Sequence, residues 1–289
     1  MKIMAAQLID GKVLSAAVKE KLRLQTEELK AAGVTPGLAV ILVGEDPASQ
    51  IYVRNKEKAC EQIGIHSIVL RLNENTTQRE LEEHIRSFNE DETVDGILVQ
   101  VPLPKHMDEA AALSLIRPDK DVDGFHVVSM GRLFSGQETL VACTPKGVME
   151  MIHSTGVVLS GKEAVVVGRS NNVGKPIAML LLQENATVTM CHSRTKDLKA
   201  HTKRADILVA AVGKPRFITG DMVKPGAVVI DVGINRVDGK VIGDVDFESA
   251  SQVADYISPV PGGVGLMTVA MLMKNTLQIA SARLAANKA

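Results

Sequence analysis

"GLAVILVGEDPASQIYVRNKEKACEQIG", residues 37–64, decides the fold. It opens as an unbroken apolar run closed by glycine, the pattern of a strand buried on both faces. "EDPAS" then supplies Asp46 as an N-cap and Pro47 as the first helical residue, where a missing N–H costs nothing. At roughly 100° per residue, Ser49, Tyr52, Val53, Lys56, Ala59, Cys60 and Ile63 share an arc of about 120°. Arg54, Asn55, Glu57, Lys58, Glu61 and Gln62 fill the remainder, and only Ile51 breaks the partition. Lys56, near the centre of the apolar arc, is the anomaly, because an ammonium on a buried face is costly unless paired. The periodicity alone leaves two readings open: a lysine that snorkels from the end of its stem, or a proton carrier on the wall of a site.

The alternation extends in both directions. A helix through "VLSAAVKEKLRLQTEELKAAG", stopped by Gly33, precedes the strand, and "HSIVLRL", "QRELEEHIRSFNED" and "DGILVQ" follow as strand, helix and strand. This βαβαβ order predicts a parallel sheet covered on both faces. "VPLPKHMDEAAALSLIRPDKDVDGFH" interrupts the regularity and marks the edge of a first domain. "CTPKGVMEMIHSTG" reads as a helix with Thr144 as N-cap and Pro145 at its first position, after which "EAVVVGRSNNVGKPIAMLLL", "TVTMCH", "DILVAAVG" and "AVVIDVG" predict a second open parallel sheet. A last helix, "TVAMLMKNTLQIASARL", is expected to return to the first domain. The expectation is an α/β protein of two domains with parallel sheets: residues 1–124 plus 268–289, and residues 140–267 as a Rossmann-like dinucleotide-binding domain.

Composition excludes several function classes. The 33 basic and 34 acidic side chains nearly cancel, so bulk electrostatics point to no nucleic acid and no anionic membrane. Three widely spaced cysteines, Cys60, Cys143 and Cys191, with no CxxC pair, argue against a disulfide framework and a structural zinc site. "MKIMAAQLIDGK" turns polar too soon for a signal peptide, and no apolar run reaches the ~18 residues of a membrane span. A cytoplasmic protein with a small-molecule substrate is expected.

In the second domain Gly168 closes a strand and Gly174 lies just inside a helix start, giving G-x-x-x-x-x-G where dinucleotide folds usually carry G-x-G-x-x-G. Strand, turn and helix nonetheless arrive in the order that lays a pyrophosphate over backbone N–H groups at a positive helix end. A tight turn that merely needs glycine is the competing reading. The next strand ends in "CHSRTKD", so His192, Ser193 and Arg194 stand where an NAD site places an acid, with Arg169 available from the first loop. Cations and a hydroxyl suit a 2′-phosphate, and NADP is the expected cofactor; a solvated turn is the alternative.

"SQIYVRNKEKAC", "DGILVQVPLP", "DKDVDGFH", "CTPKGVME", "VVGRSNNVGKP", "AVGKP", "VIDVGIN" and "PVPGGVG", in this order along nearly the whole chain, resemble the bifunctional methylenetetrahydrofolate dehydrogenase/methenyltetrahydrofolate cyclohydrolase family. The resemblance implies two α/β domains with the active site in the cleft between them and a homodimer formed through the dinucleotide domain. It implies NADP-dependent oxidation of 5,10-methylenetetrahydrofolate, then hydrolysis to 10-formyltetrahydrofolate, with no metal. It implies Lys56 as the cyclohydrolase acid/base, Tyr52 as a platform for the folate, Gln100 orienting Lys56, Asp123 gripping the pterin and Ser49 lining the site. Gly168, Arg169, Ser170, Ser193 and Ile234 correspond to the family's NADP contacts, and Pro261, Gly262 and Gly263 to its loop on the folate side. One departure is Leu266, where the family pattern reads "PGGVGPMT".

For Lys56 to exchange protons at neutral pH, its pKa must fall by ~3 units, about 4 kcal/mol of differential interaction. Burial and a nearby cationic substrate lower it, whereas a carboxylate ion-paired to it would raise it. Asp123 is therefore expected to serve the pterin rather than to pair with Lys56. Read locally, "DKDVDG" is also compatible with a charged turn in which Asp121 or Asp123 is solvated or capping. A calcium loop fails for want of a Glu at its twelfth position, where Arg132 stands. Two rivals remain at this level: a dehydrogenase of another small substrate such as a shikimate-like ring, and a non-catalytic NADP-binding protein.

Overall fold

The computed structural model describes residues 6–287. In chain order its elements begin with β1 (Gln7–Leu8), α1 (Gly11–Ala31), β2 (Gly37–Val43), α2 (Pro47–Ile63), β3 (His66–Leu72), α3 (Gln78–Glu90) and β4 (Gly96–Val99). Then come α4 (Glu109–Ser114), α5 (Val127–Phe134), α6 (Cys143–His153), β5 (Glu163–Val167), α7 (Gly174–Gln183), β6 (Thr187–Cys191), α8 (Leu198–Thr202) and β7 (Ile207–Ala210). β8 (Val228–Asp231), β9 (Asn235–Val237), β10 (Lys240–Ile242), α9 (Phe247–Ala250), β11 (Tyr256–Ile257) and α10 (Val264–Ala286) complete the chain. They form two compact units. One comprises Ala16–Arg132, Glu138–Cys143 and the chain from Val269 on; the other comprises the chain up to Ser15, Leu133–Gln137 and Thr144–Thr268.

The first unit is built on a three-stranded parallel sheet in the order β3-β2-β4. Every residue of β2 is buried, as its unbroken apolar run requires, while β3 at the edge is partly buried from Ser67 to Leu70 and at Leu72, with His66 and Arg71 exposed. Apolar side chains of β2 and β4 pack with Leu81 and Ile85 of α3 and with Ala112 and Ile116. Local signals set the helix ends. Asp46 accepts from the Ser49 N–H at 2.7 Å with Pro47 at the first position, and Gly64 closes α2 in the left-handed region at φ +87°. Thr77 and Glu80 form a reciprocal capping box at α3. β2 lies between β3 and β4: the chain runs from β2 through α2 to β3 on one side and then crosses through α3 to β4 on the other, so the carboxyl ends of β2 and β4 border the crevice where open α/β sheets bind ligands.

The other unit carries a six-stranded, all-parallel sheet, β1-β11-β8-β7-β5-β6, with its switch point between β5 and β7. Its central strands β5, β7 and β8 are the apolar runs singled out in the sequence. The edge pairing of β1 with β11 and the β9–β10 hairpin are too short to leave a periodic signal. α6 begins at Cys143, one residue before the expected cap, and the Thr144 hydroxyl is 3.0 Å from that of Thr268 instead of capping a helix from outside. Among the described residues no helix is long and apolar enough to cross a membrane.

The end of α10 is tied into the three-stranded unit by charge. Arg283 donates to both oxygens of Asp95, at 2.7 and 3.0 Å, and Asp95 also accepts from the Gly37 N–H at 2.8 Å. The Asp95 side chain is 1% exposed. Removing one partner of a buried pair strands the other charge, so Asp95→Ala lowers unfolding free energy by about 3 kcal/mol, read by urea denaturation.

Candidate active site

α2 follows β2 and Gln100 follows β4, so both elements that border the crevice of the three-stranded sheet contribute a polar group. The Gln100 N–H donates to the Ile41 carbonyl at 2.8 Å, carrying the β4 pairing one residue further, and its side-chain amide donates to the Val101 carbonyl at 2.8 Å. With its amide N so occupied, the amide oxygen accepts from Lys56 Nζ at 2.9 Å. The backbone carbonyl fixes the orientation of the amide, since a flipped group would set its oxygen against the Val101 carbonyl and its N–H₂ against the lysine amine.

The helix arc is realised: Ser49, Val53, Ala59, Cys60 and Ile63 are buried, Lys56 is half-buried, and Ile51 is half exposed. Tyr52 is 40% exposed one turn before Lys56, so its ring is accessible on the helix face that carries the lysine. Burial holds the Lys56 ammonium below its usual lysine range, against the opposing pull of Asp123, Cys143 and Cys60. Gln100 carries no charge, so the hydrogen bond fixes the amine without the stabilisation a carboxylate would give its protonated form.

The two acids of "DKDVDG" divide. Asp121 is buried and accepts from the Gly124 and His126 N–H groups at 3.2 and 2.7 Å, bracing the turn that leads into α5. Asp123 has no hydrogen-bond or ion-pair partner among the described residues and is not within 4 Å of Lys56 Nζ. Desolvation pushes its carboxyl up to about 6, partly opposed by Lys56 and reinforced by Asp121. The capping reading thus holds for Asp121, and Asp123 is left as an available acceptor. The turn is clamped from behind: Asn275, fully buried in α10, donates to the carbonyls of Val122 and Val141 at 2.8 and 2.9 Å, and a side chain at Gly124, φ +69°, would collide with Val141 and Ala142. In the sequence, the one signal of Asn275 is an amide within a long apolar helix.

In the six-stranded unit, Gly168 ends β5 at φ +137°, against the carbonyl of Ala211, and Gly174 abuts the Gly168 carbonyl, so neither position has room for a side chain. The turn between them leads into α7, whose N-cap residue, Val173, makes no side-chain cap; the Ser170 hydroxyl accepts from the Gly174 N–H at 3.3 Å. The N–H groups of Arg169 to Val173 have no hydrogen-bond acceptor among the described residues. A cradle of open donors at a helix N-terminus suits a pyrophosphate. Arg169, Ser170, Ser193 and Arg194 are exposed, and neither arginine has an ion-pair partner among the described residues, which suits a further phosphate. Ile234, 51% exposed after β8, supplies an apolar surface. Pro261 is exposed, Gly262 takes φ +105° and Gly263 is buried, in the turn before α10. Leu266, the departure from the family pattern, is exposed in the first turn of α10, and its N–H donates to the Gly263 carbonyl at 3.2 Å, a bond proline could not make.

Comparison with known proteins covers nearly the whole chain. Residues 9–123 match the family model for the tetrahydrofolate dehydrogenase/cyclohydrolase catalytic domain, and residues 142–284 the model for the NAD(P)-binding domain of the same family. The bifunctional protein FolD of Acetivibrio thermocellus is 59% identical over 278 residues, 96% of this chain and 98% of that protein. The crystal structure of the Campylobacter jejuni bifunctional FolD enzyme superposes with a TM-score of 0.94 at 51% identity, covering 96% of this chain and 100% of that one. A Trypanosoma brucei methylenetetrahydrofolate dehydrogenase-cyclohydrolase, solved with NADP and an inhibitor, gives 0.92 at 41% identity, covering 97% and 99%.

Because Asp123 takes up its proton on folding, its ionised form weighs against the folded state once pH exceeds about 4, its ordinary value, and fully above about 6. Asp123→Asn therefore raises the thermal midpoint of the ligand-free protein by a few degrees at about pH 8 and leaves it unchanged near pH 4, a contrast that scanning calorimetry resolves.

Proposed function

The chain belongs to the tetrahydrofolate dehydrogenase/cyclohydrolase family, and from that membership together with the Lys56–Gln100 hydrogen bond we propose how its residues divide the work. The protein oxidises 5,10-methylenetetrahydrofolate to the methenyl cation with NADP and hydrolyses the cation to 10-formyltetrahydrofolate, within one-carbon metabolism. Bound NADP supplies the hydride acceptor. The methylene carbon lies between two nitrogens whose lone pairs stabilise the product cation, so the dehydrogenase step asks the chain mainly for orientation.

Hydrolysis needs proton management: water attacks the cation and loses a proton, and a ring nitrogen must take one as the C–N bond breaks. Lys56 is the group assigned to carry that proton. Its half-buried position and its neutral acceptor support the role, because both keep the amine nearer to neutrality than an exposed or carboxylate-paired lysine. A cationic substrate lowers its pKa further. Tyr52 is assigned to stack on the folate, Asp123 to accept from the pterin's amino-pyrimidine edge, and Ser49, Pro261, Gly262 and Gly263 to line the folate site. Asp123 suits this task because it is an acceptor already stripped of part of its hydration and committed to nothing else. The open donors of residues 169–173 are assigned to the pyrophosphate, Arg169 and Ser193 to the 2′-phosphate, and Ser170 and Ile234 to the remainder of the cofactor. A homodimer and a cytoplasmic location belong to the same proposal and rest on the family resemblance.

Lys56→Met abolishes methenyl hydrolysis, by at least about a hundredfold, while methylenetetrahydrofolate still supports NADP reduction; a variant that hydrolyses at the wild-type rate overturns the assignment. Arg169→Ala raises KM for NADP about tenfold and leaves KM for NAD within twofold, which a spectrophotometric comparison of the two cofactors measures.

A further inference from the structure

Two buried carboxylates in the six-stranded unit take no part in the chemistry above. Asp231 ends β8 at 3% exposure and Asp244, between β10 and α9, is fully buried; neither has a cationic partner among the described residues. A buried carboxylate needs donors, and here they come from the backbone of two loops. Asp244 Oδ2 accepts from the N–H groups of Val212 and Gly213 at 2.6 and 2.9 Å, and Oδ1 accepts from the Lys214 N–H and from the Asn235 side-chain amide, both at 2.9 Å. Asp231 accepts from the N–H groups of Gly233, Asp244 and Val245, each at 2.9 Å. Glycines make room for the carboxylates: a side chain at Gly233 would strike Asp244, and one at Gly243 would strike Asp231.

The loops gathered in this way are those that leave the carboxyl ends of β7 and β8. Residues 212–214 follow Ala211, whose N–H donates to Val167 at 2.8 Å and whose carbonyl presses on Gly168, so this loop abuts the pyrophosphate turn. The second loop presents Ile234, flanked by Gly233, held by Asp231, and by Asn235, held by Asp244. Three consecutive N–H groups wrapped on one carboxylate form an anion nest that is already filled. Its donors are not available to a cofactor phosphate, which leaves the turn of residues 169–173 as the phosphate cradle and makes 212–214 a shaped wall beside it.

We propose that Asp244, braced by Asp231, is a positioning residue for dinucleotide binding: its carboxylate folds residues 212–214 around itself and locks them to the Ile234 turn through Asn235. The proposal rests on the assignment of NADP to this unit. It acts on cofactor affinity and leaves the hydrolytic step, which needs no cofactor and is assigned to Lys56 in the other unit, untouched.

The test compares wild type, Asp244→Asn and Asn235→Ala by calorimetric titration with NADP, by KM for NADP, and by methenyl hydrolysis without cofactor. Asp244→Asn turns an amide N–H₂ toward backbone donors and weakens NADP about tenfold or more; Asn235→Ala, which removes the side-chain bonds from the Ile234 turn to Asp244 and to the Ile242 carbonyl, weakens it about fivefold. Hydrolysis stays within twofold in both. Should Asp244→Asn fail to fold, Asn235→Ala carries the decision alone. Unchanged NADP affinity in folded variants overturns the proposal, and so does a parallel loss of hydrolysis and cofactor affinity, which marks a purely structural role. Wild type that does not bind NADP overturns the cofactor assignment, and this proposal with it.

Discussion

A lysine amine held partly out of water by a helix face, and met there by an uncharged oxygen, is the constraint around which the three-stranded unit is organised. Water stabilises an ammonium strongly, so each step of burial shifts Lys56 toward its neutral form. The protein tolerates this cost because Gln100 supplies a hydrogen bond without supplying a charge. Had β4 ended in Glu, the same geometry would have given an ordinary ion pair and a lysine locked in its protonated state. The parallel sheet makes the meeting possible: α2 leaves the carboxyl end of β2 and Gln100 leaves the carboxyl end of β4, on either side of one crevice.

The aspartates show how one residue type is set to different tasks by what surrounds it. Asp46 caps a helix, Asp95 anchors Arg283, Asp121 braces a turn, and Asp244 gathers a loop, each with its oxygens satisfied by donors of the chain. Asp123 differs from them in having no donor among the described residues, and desolvation raises its carboxyl toward neutrality. Stability would favour an amide there; a substrate that brings its own donors favours the carboxylate. The same logic separates the two loops of the six-stranded unit. Backbone donors at 169–173 have no acceptor among the described residues, whereas those at 212–214 are spent on the fold itself.

The amino-acid sequence by itself determined the elements whose energetics are local or periodic. Buried strands announce themselves as apolar runs, α2 by its cap and its arc, and Gly33 and Gly168 by standing at element ends where the backbone takes conformations that other residues resist. It also isolated Lys56, because a charge inside a 3.6-residue apolar stripe contradicts its neighbours. What distinguishes Asp121 from Asp123, two residues apart in one acidic turn, is not written in that turn: it depends on which N–H groups the following backbone brings to each oxygen. α6 starts at Cys143, two residues before the expected first helical residue Pro145, and the hydroxyl read as its cap meets Thr268, far along the chain. The Asp231–Asp244 pair and the clamp of Asn275 on Val122 and Val141 join segments from 13 to 153 positions apart. Only the tertiary structure decides such roles, since a hydrogen bond is directional and short, and its partner is fixed by the three-dimensional path of the backbone and not by spacing along it.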